Sequence, residues 1–146
     1  MKIETQLNLP SSELFHSFRS DVSWGPLSLE QAQAALDGSL GGIVATINDE
    51  SVAMARYVGD GILNIYIQDV IVAKTHRNQG IGLALMTALI QHLAQTYPED
   101  CRIGLFAAED QDRFYKRLGF TSRPEIGFGP GMHATLSELA KPSNAA

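Results

Sequence analysis

The chain carries one cysteine, Cys101, in 146 residues, which excludes an internal disulfide framework. No apolar run approaches the roughly 20 residues a membrane helix requires. Met1 to Pro10 alternates polar and apolar residues instead of offering the continuous apolar stretch of a secretion signal. Positive charge is in deficit: 11 Lys and Arg stand against 16 Asp and Glu, a formal charge of −5. The basic footprint behind most non-specific nucleic-acid affinity is therefore missing, and neither nucleic acid nor a membrane is expected as a partner. His16, His76, His92 and His133 show no ligand spacing, so no metal is expected. With 45% hydrophobic and 18% charged residues, the composition is that of a globular protein large enough to need no staple. We expect a cytoplasmic protein with a single domain over residues 1–140, followed by a frayed tail over 141–146; a homodimer is compatible with the sequence.

Periodicity orders the elements. Lys2 to Leu7 reads as a short strand with Ile3, Thr5 and Leu7 on one face. Ser11-Ser12-Glu13 opens a first helix to about Arg19, and Ser28-Leu29-Glu30-Gln31 opens a second, with Leu29, Ala32 and Leu36 on one face until Gly38. Gly42 to Asn48, Ser51 to Val58 and Gly61 to Ala73 are β-branched runs separated by Asn48-Asp49 and Gly59-Asp60-Gly61, the signals of an antiparallel meander. Met86, Ile90, Leu93 and Tyr97 then mark a helix from about Gly80 to Tyr97, ended by Pro98. Arg102 to Ala108 is a strand and Asp112 to Leu118 a short helix with Phe114 and Leu118 inward, closed by Gly119. Strands at Phe120 to Arg123 and Met132 to Leu136 are expected to finish the sheet. Strand, helix and strand from Gly61 to Ala108 make a βαβ unit whose strands should lie parallel, giving an α/β mixed sheet that is mostly antiparallel elsewhere.

One segment stands out chemically. His76-Arg77-Asn78-Gln79-Gly80-Ile81-Gly82-Leu83 joins the long strand to the long helix, with two glycines and no acid. A helix start presents unpaired N–H groups, and glycine lets a ligand approach the backbone, so an anion such as pyrophosphate suits the place. A Walker A loop is absent, and the dinucleotide fingerprint would put its third glycine or alanine at Leu85. Seven residues, Ala73 to Gln79, also separate the strand from Gly80, too many for the tight turn of a nicotinamide-binding unit.

The Arg77-x-x-Gly80-x-Gly82 spacing, followed one βα unit later by Phe114-Tyr115-Lys116-Arg117-Leu118-Gly119-Phe120, resembles the GNAT superfamily of N-acetyltransferases. The resemblance spans about Gly42 to Phe120. It implies a fold in which the central parallel pair splays to hold acetyl-CoA as co-substrate. The diphosphate would lie on the amides of Asn78, Gln79, Gly80, Ile81, Gly82 and Leu83 beside Arg77, and the pantetheine arm along Val70, Ile71 and Val72. Such an arm can pair with exposed strand backbone, and an N–H of the Val70–Val72 stretch can receive the developing oxyanion. Which N–H it is stays open.

In the family, the tyrosine at Tyr115 donates a proton to the leaving thiolate. Some branches place a glutamate base at the position of Tyr66, and many carry an asparagine at that of Ala108. With neither present, a water-relayed base is expected, with Asp69 favoured over Glu109 and Asp110. Strict alternation puts Asp69 on the opposite face from Tyr66 and Gln68 unless a bulge intervenes. Trp24, in the loop where the family builds its acceptor pocket, and Tyr66 are the candidate amine-binding residues; Trp24 is also suited to anchor that loop by packing. Arg56 can reach a substrate carboxylate or cap the sheet face, and Gly127 to Met132 can border the pocket. Cys101 reads as a small filler. The leading function is an acetyl-CoA-dependent N-acetyltransferase of a small primary amine; the alternatives are a protein lysine or N-terminus as acceptor, and an acyl-CoA sensor without turnover.

Overall fold

The computed structural model describes residues 1–141; the remainder of the tail expected to fray, 142–146, lies outside them. The chain divides into two compact units, one over Met1–Phe106 and one from Ala107 onward.

In the first unit, α1 (Ser12–Ser20) begins where the Ser11 hydroxyl accepts from the Leu14 N–H. Helix α2 (Leu29–Asp37) begins with a reciprocal box, in which the Gln31 N–H donates to Ser28 Oγ and the Ser28 N–H to Gln31 Oε1. Each bond satisfies a helix-start N–H that has no partner within the helix. Phe15 and Phe18 of α1 and Ala32 and Leu36 of α2 are buried together against Met54 and Ile71 of the sheet. Leu29, expected on that stripe, is the first residue of its helix and is half exposed.

Five strands follow one another across the sheet: β1 (Glu4–Gln6), β2 (Gly41–Ile47), β3 (Glu50–Gly59), β4 (Asn64–Val72) and β5 (Arg102–Leu105). The first three pairings are antiparallel and β4 with β5 is parallel, as the βαβ unit requires. The β2–β3 hairpin turns on Asn48 and Asp49 at φ 50° and 64°, the left-handed pair that matches strand twist in a two-residue turn. At the other end of β3, Asp60 Oδ1 accepts from the N–H groups of Ile62, Leu63 and Asn64 at 2.8, 2.8 and 3.0 Å. These bonds hold its carboxyl below the usual carboxylate range. Helix α3 (Ile81–Thr96) packs on β2, β3 and β4 through Ile81, Leu85, Met86, Leu89 and Leu93. Met54 faces α1 and α2 while the Tyr57 phenol meets Tyr97 at the end of α3, so alternation along β3 puts the helices on opposite faces. A 3₁₀ turn at Lys74–His76, not anticipated from the sequence, leads from β4 toward α3.

The β3–β4 ladder breaks register at one point. Arg56 pairs with Gln68 and Met54 with Ile71, so Asp69 and Val70 together oppose Ala55. This is a β-bulge, with Asp69 at φ 54°, and it cancels the alternation that would separate Asp69 from Gln68.

The second unit contains α4 (Asp112–Arg117) and α5 (Leu136–Leu139). Gly119 follows α4 at φ 110°. Phe114, Tyr115, Leu118 and Phe120 are half-buried. The two strands expected near Phe120–Arg123 and Met132–Leu136 are not formed among the described residues. Instead, Glu125 and Phe128 make an isolated bridge, and Arg123 Nε donates to the Gly129 carbonyl at 2.7 Å with its guanidinium over the Phe128 ring. Thr135 and Glu138 form a capping box that commits Leu136 to a helix.

Candidate active site

The strand-to-helix segment has the local structure an anion requires. Gly80 stands at φ 80° and begins α3 without a side-chain cap. The first helical bond runs from the Ala84 N–H to the Gly80 carbonyl, so the N–H groups of Ile81, Gly82 and Leu83 have no acceptor within the helix. A Cβ placed on Gly80 would meet nothing within 4 Å; glycine serves the backbone angle there, and the space over the turn is open. Asn78 is also left-handed, at φ 61°. Arg77 is exposed and its Nε donates to the Val72 carbonyl at 3.1 Å, which holds the guanidinium over the junction of β4 and the turn. The residues present therefore fit a diphosphate.

Along β4, parallel pairing with β5 covers only Asn64 to Ile67, opposite Arg102 to Leu105. From Gln68 to Val72 the strand continues with β3 on one edge and no β5 partner on the other. The expected stretch Val70, Ile71, Val72 lies in this single-sided segment and begins within the bulge at Val70. Tyr66 lies where the two strands still pair. Its ring meets Phe106 edge-on at 5.3 Å, and burial raises its phenol, offset in part by the Phe106 N–H.

Asp69 is the only buried charged residue among those described. Its side chain is 1% exposed; Oδ1 accepts from Arg19 at 2.8 Å and Oδ2 from Arg56 Nε at 2.6 Å. Both oxygens of Asp69, the residue favoured from the sequence as base, are thus engaged by guanidiniums from α1 and β3. Besides Asp69, Arg56 donates to Ser39 Oγ and lies over the Phe15 ring.

Arg19 was not singled out from the sequence, where it reads only as the basic end of α1. It also donates to the Trp24 carbonyl and stacks on the Trp24 ring at 5.5 Å, while its Nε is buried without a partner. A cavity of about 420 Å³ lies beside it, lined among others by His16, Arg19, Ser20, Ser23, Pro26 and Leu27, with no acid in the lining. Trp24 is not in that lining; it is 41% exposed, with the Arg19 guanidinium over its ring.

In the second unit, the Tyr115 ring is edge-on to Phe114 at 5.0 Å and to Phe120 at 6.0 Å, and burial pushes its phenol up. Cys101 is half-buried, and desolvation, then Asp60 and Asp100, raise its thiol, which keeps it a weak nucleophile. Among the described residues no helix is long and apolar enough to cross a membrane, and no acid, His or Cys cluster suits a metal.

The acetyltransferase (GNAT) domain family matches residues 39–122. GCN5-related N-acetyltransferase 1, chloroplastic, of Arabidopsis thaliana is 39% identical over 74 residues, 51% of this chain and 36% of its own length. Histone acetyltransferase TAP1 of Glycine max is 34% identical over 117 residues, 71% of this chain and 49% of its own. The Staphylococcus aureus protein SA2161 shares the fold with a TM-score of 0.79 at 23% identity, over 92% of this chain and 99% of its own. The chain thus spans between 36% and 61% of the length of the first curated relatives it matches. With more than half of its residues matched by the family and its five-stranded mixed sheet shared with a solved relative, this chain belongs to the GNAT family of N-acetyltransferases.

Proposed function

We propose that the chain transfers the acetyl group of acetyl-CoA to a small primary amine, by direct attack of the free amine on the thioester in a ternary complex. The observation that carries this reading is the start of α3, where three N–H groups without helical acceptors lie behind an open Gly80, beside Arg77 and with no acid from His76 to Leu83. A diphosphate placed there would receive both the N–H groups and the positive end of the helix dipole. The single-sided stretch Val70–Val72 then takes the pantetheine arm, and one of its N–H groups the oxyanion.

The amine nitrogen attacks the thioester carbon, the C–S bond breaks, the thiolate takes the Tyr115 proton, and the proton shed by the acylated nitrogen returns through water to the Tyr115 phenolate. A phenol with its ordinary value of about 10 is protonated at neutral pH, as a donor requires, and burial raises Tyr115 further. With Asp69 engaged by its arginines, the proton of the incoming ammonium leaves through water, with Glu109 and Asp110 as solvated acceptors. The cavity beside Arg19 supports an acceptor whose body carries no second cation: its lining holds Arg19 and His16 and no acid, and a guanidinium already lies over the Trp24 ring. The second reading, a protein lysine, is favoured by the name of the Glycine max relative, but a basic tail would need acidic side chains that this cavity lacks. We assign the activity to one domain over 1–140 in the cytoplasm, a reducing setting that suits the unpaired Cys101.

Calorimetry with acetyl-CoA tests the reading. Gly82→Val closes off the backbone, and the variant should fold normally while losing at least about tenfold in affinity. Equal affinity in a folded Gly82→Val would remove the diphosphate from this turn.

A further inference from the structure

The Asp69 cluster joins parts of the first unit that the sequence separates widely. Arg19 comes from α1, Arg56 from β3 and Asp69 from β4. Each guanidinium has a further partner: Arg19 donates to the Trp24 carbonyl at 3.3 Å and Arg56 to Ser39 Oγ at 3.2 Å. One continuous chain of polar contacts therefore runs from the loop after α1, through the bulge of β4, to the end of α2.

The backbone at the centre of this chain is unusual. Asp69 has φ 54°, a conformation that costs a side-chain-bearing residue energy and persists where surrounding contacts compensate it. Aspartate is among the few residues that tolerate it, yet a buried carboxylate is stable only if paired. Two guanidiniums, one on each oxygen, supply the pairing and fix the carboxylate's rotation. A single partner would leave one oxygen bare in a site that is 1% exposed.

We propose that Asp69 is a positioning residue: clamped between Arg19 and Arg56, it holds the bulged backbone of β4 in the shape that receives the thioester, and ties that backbone to the Trp24 loop beside the acceptor cavity. The catalytic part of this inference rests on the acetyl-CoA reading above. The structural part, that the clamp holds the bulge, stands apart from it. Asp69 takes and gives no proton; its contribution is the placement of the Val70–Val72 backbone relative to the acceptor.

The test is Arg56→Met, with Arg56→Lys as the conservative variant, followed by amide hydrogen exchange, acetyl-CoA calorimetry and steady-state kinetics. Loosening the clamp should speed exchange of the amides from Asp69 to Val72 by at least about tenfold while those of Leu85 to Leu89 stay protected. It should lower kcat by about 10²-fold, as small misplacements do, and weaken acetyl-CoA binding by a smaller factor, since the loosened Val70–Val72 backbone holds the pantetheine arm while the start of α3 is left intact. Arg56→Lys, which keeps a cation beside the carboxylate, should recover most of these losses, and it carries the same measurements if Arg56→Met does not fold. Were Asp69 the base, removing an arginine would free its carboxylate, and kcat would hold or rise; that result overturns the proposal. Unchanged exchange from Asp69 to Val72 in a folded Arg56→Met also overturns it. Wild-type protein that turns over no amine contradicts the acetyl-transfer reading instead, and leaves the exchange result to decide whether the clamp holds the bulge.

Discussion

Tyr115 is the residue whose chemistry is most directly open to measurement. General acid catalysis contributes about 10²–10⁴-fold, so Tyr115→Phe should lower kcat by that order and leave acetyl-CoA affinity almost unchanged, because the proton moves only in the transition state. A variant with near-normal kcat would return Tyr115 to packing against Phe114 and Phe120. The pH profile follows from the direction of its shift. Burial raises the phenol, so the protonated donor persists to above the ordinary tyrosine value of about 10. Over the same range the free-amine fraction of the acceptor grows. The rate should therefore climb from neutral to mildly alkaline pH without a descending limb before about pH 10; a fall between pH 8 and 9 would contradict a buried tyrosine donor. Stability at single positions is set by the face under α3. Leu85 is fully buried, and Leu85→Ala should cost about 2–5 kcal/mol in denaturant unfolding.

Elements with chemical punctuation were the ones the sequence made legible. Ser28 and Gln31 satisfy each other's backbone in the structure as the capping pattern implied. Ser28→Ala should thus cost about 1 kcal/mol, seen as a Tm lowered by roughly 3 °C; an unchanged Tm would mean that packing of Ala32 and Leu36 alone holds α2. Asn48-Asp49 likewise announced its hairpin, because few residue pairs accept two left-handed angles in succession. The second unit was harder to read. Between Phe120 and Leu136, prolines and glycines interrupt any alternation, so the two strands expected there rested on short apolar runs. The Thr135-to-Glu138 spacing, a helix-start signal of the same kind as Ser28 to Gln31, was present and outweighed them. The candidate site divides similarly. The Gly80 turn could be read locally, from glycines and the absence of acid. The engagement of Asp69 could not, since it depends on a bulge that resets alternation and on Arg19, fifty residues away in sequence.

Over the whole molecule, net charge and family membership leave the acceptor as the question that decides the account. A formal charge of −5 would draw cationic partners to the surface, yet the cavity beside the Trp24 loop is lined by Arg19 and His16 without an acid. An amine on a neutral or anionic body satisfies both features; a lysine in a basic tail satisfies only the first. Trp24→Ala, by releasing the loop that Arg19 stacks on, should raise the KM for such an amine well above any change in that for acetyl-CoA. Acetyl transfer to a small amine is decided by thiol release from acetyl-CoA, followed with wild-type protein across small primary amines of neutral, anionic and dicationic body and across lysine-rich peptides. Saturable release with at least one neutral or anionic small amine, exceeding that with dicationic amines and peptides, is the expected result; release with basic peptides alone, or with no amine at all, would contradict acetyl transfer to a small amine.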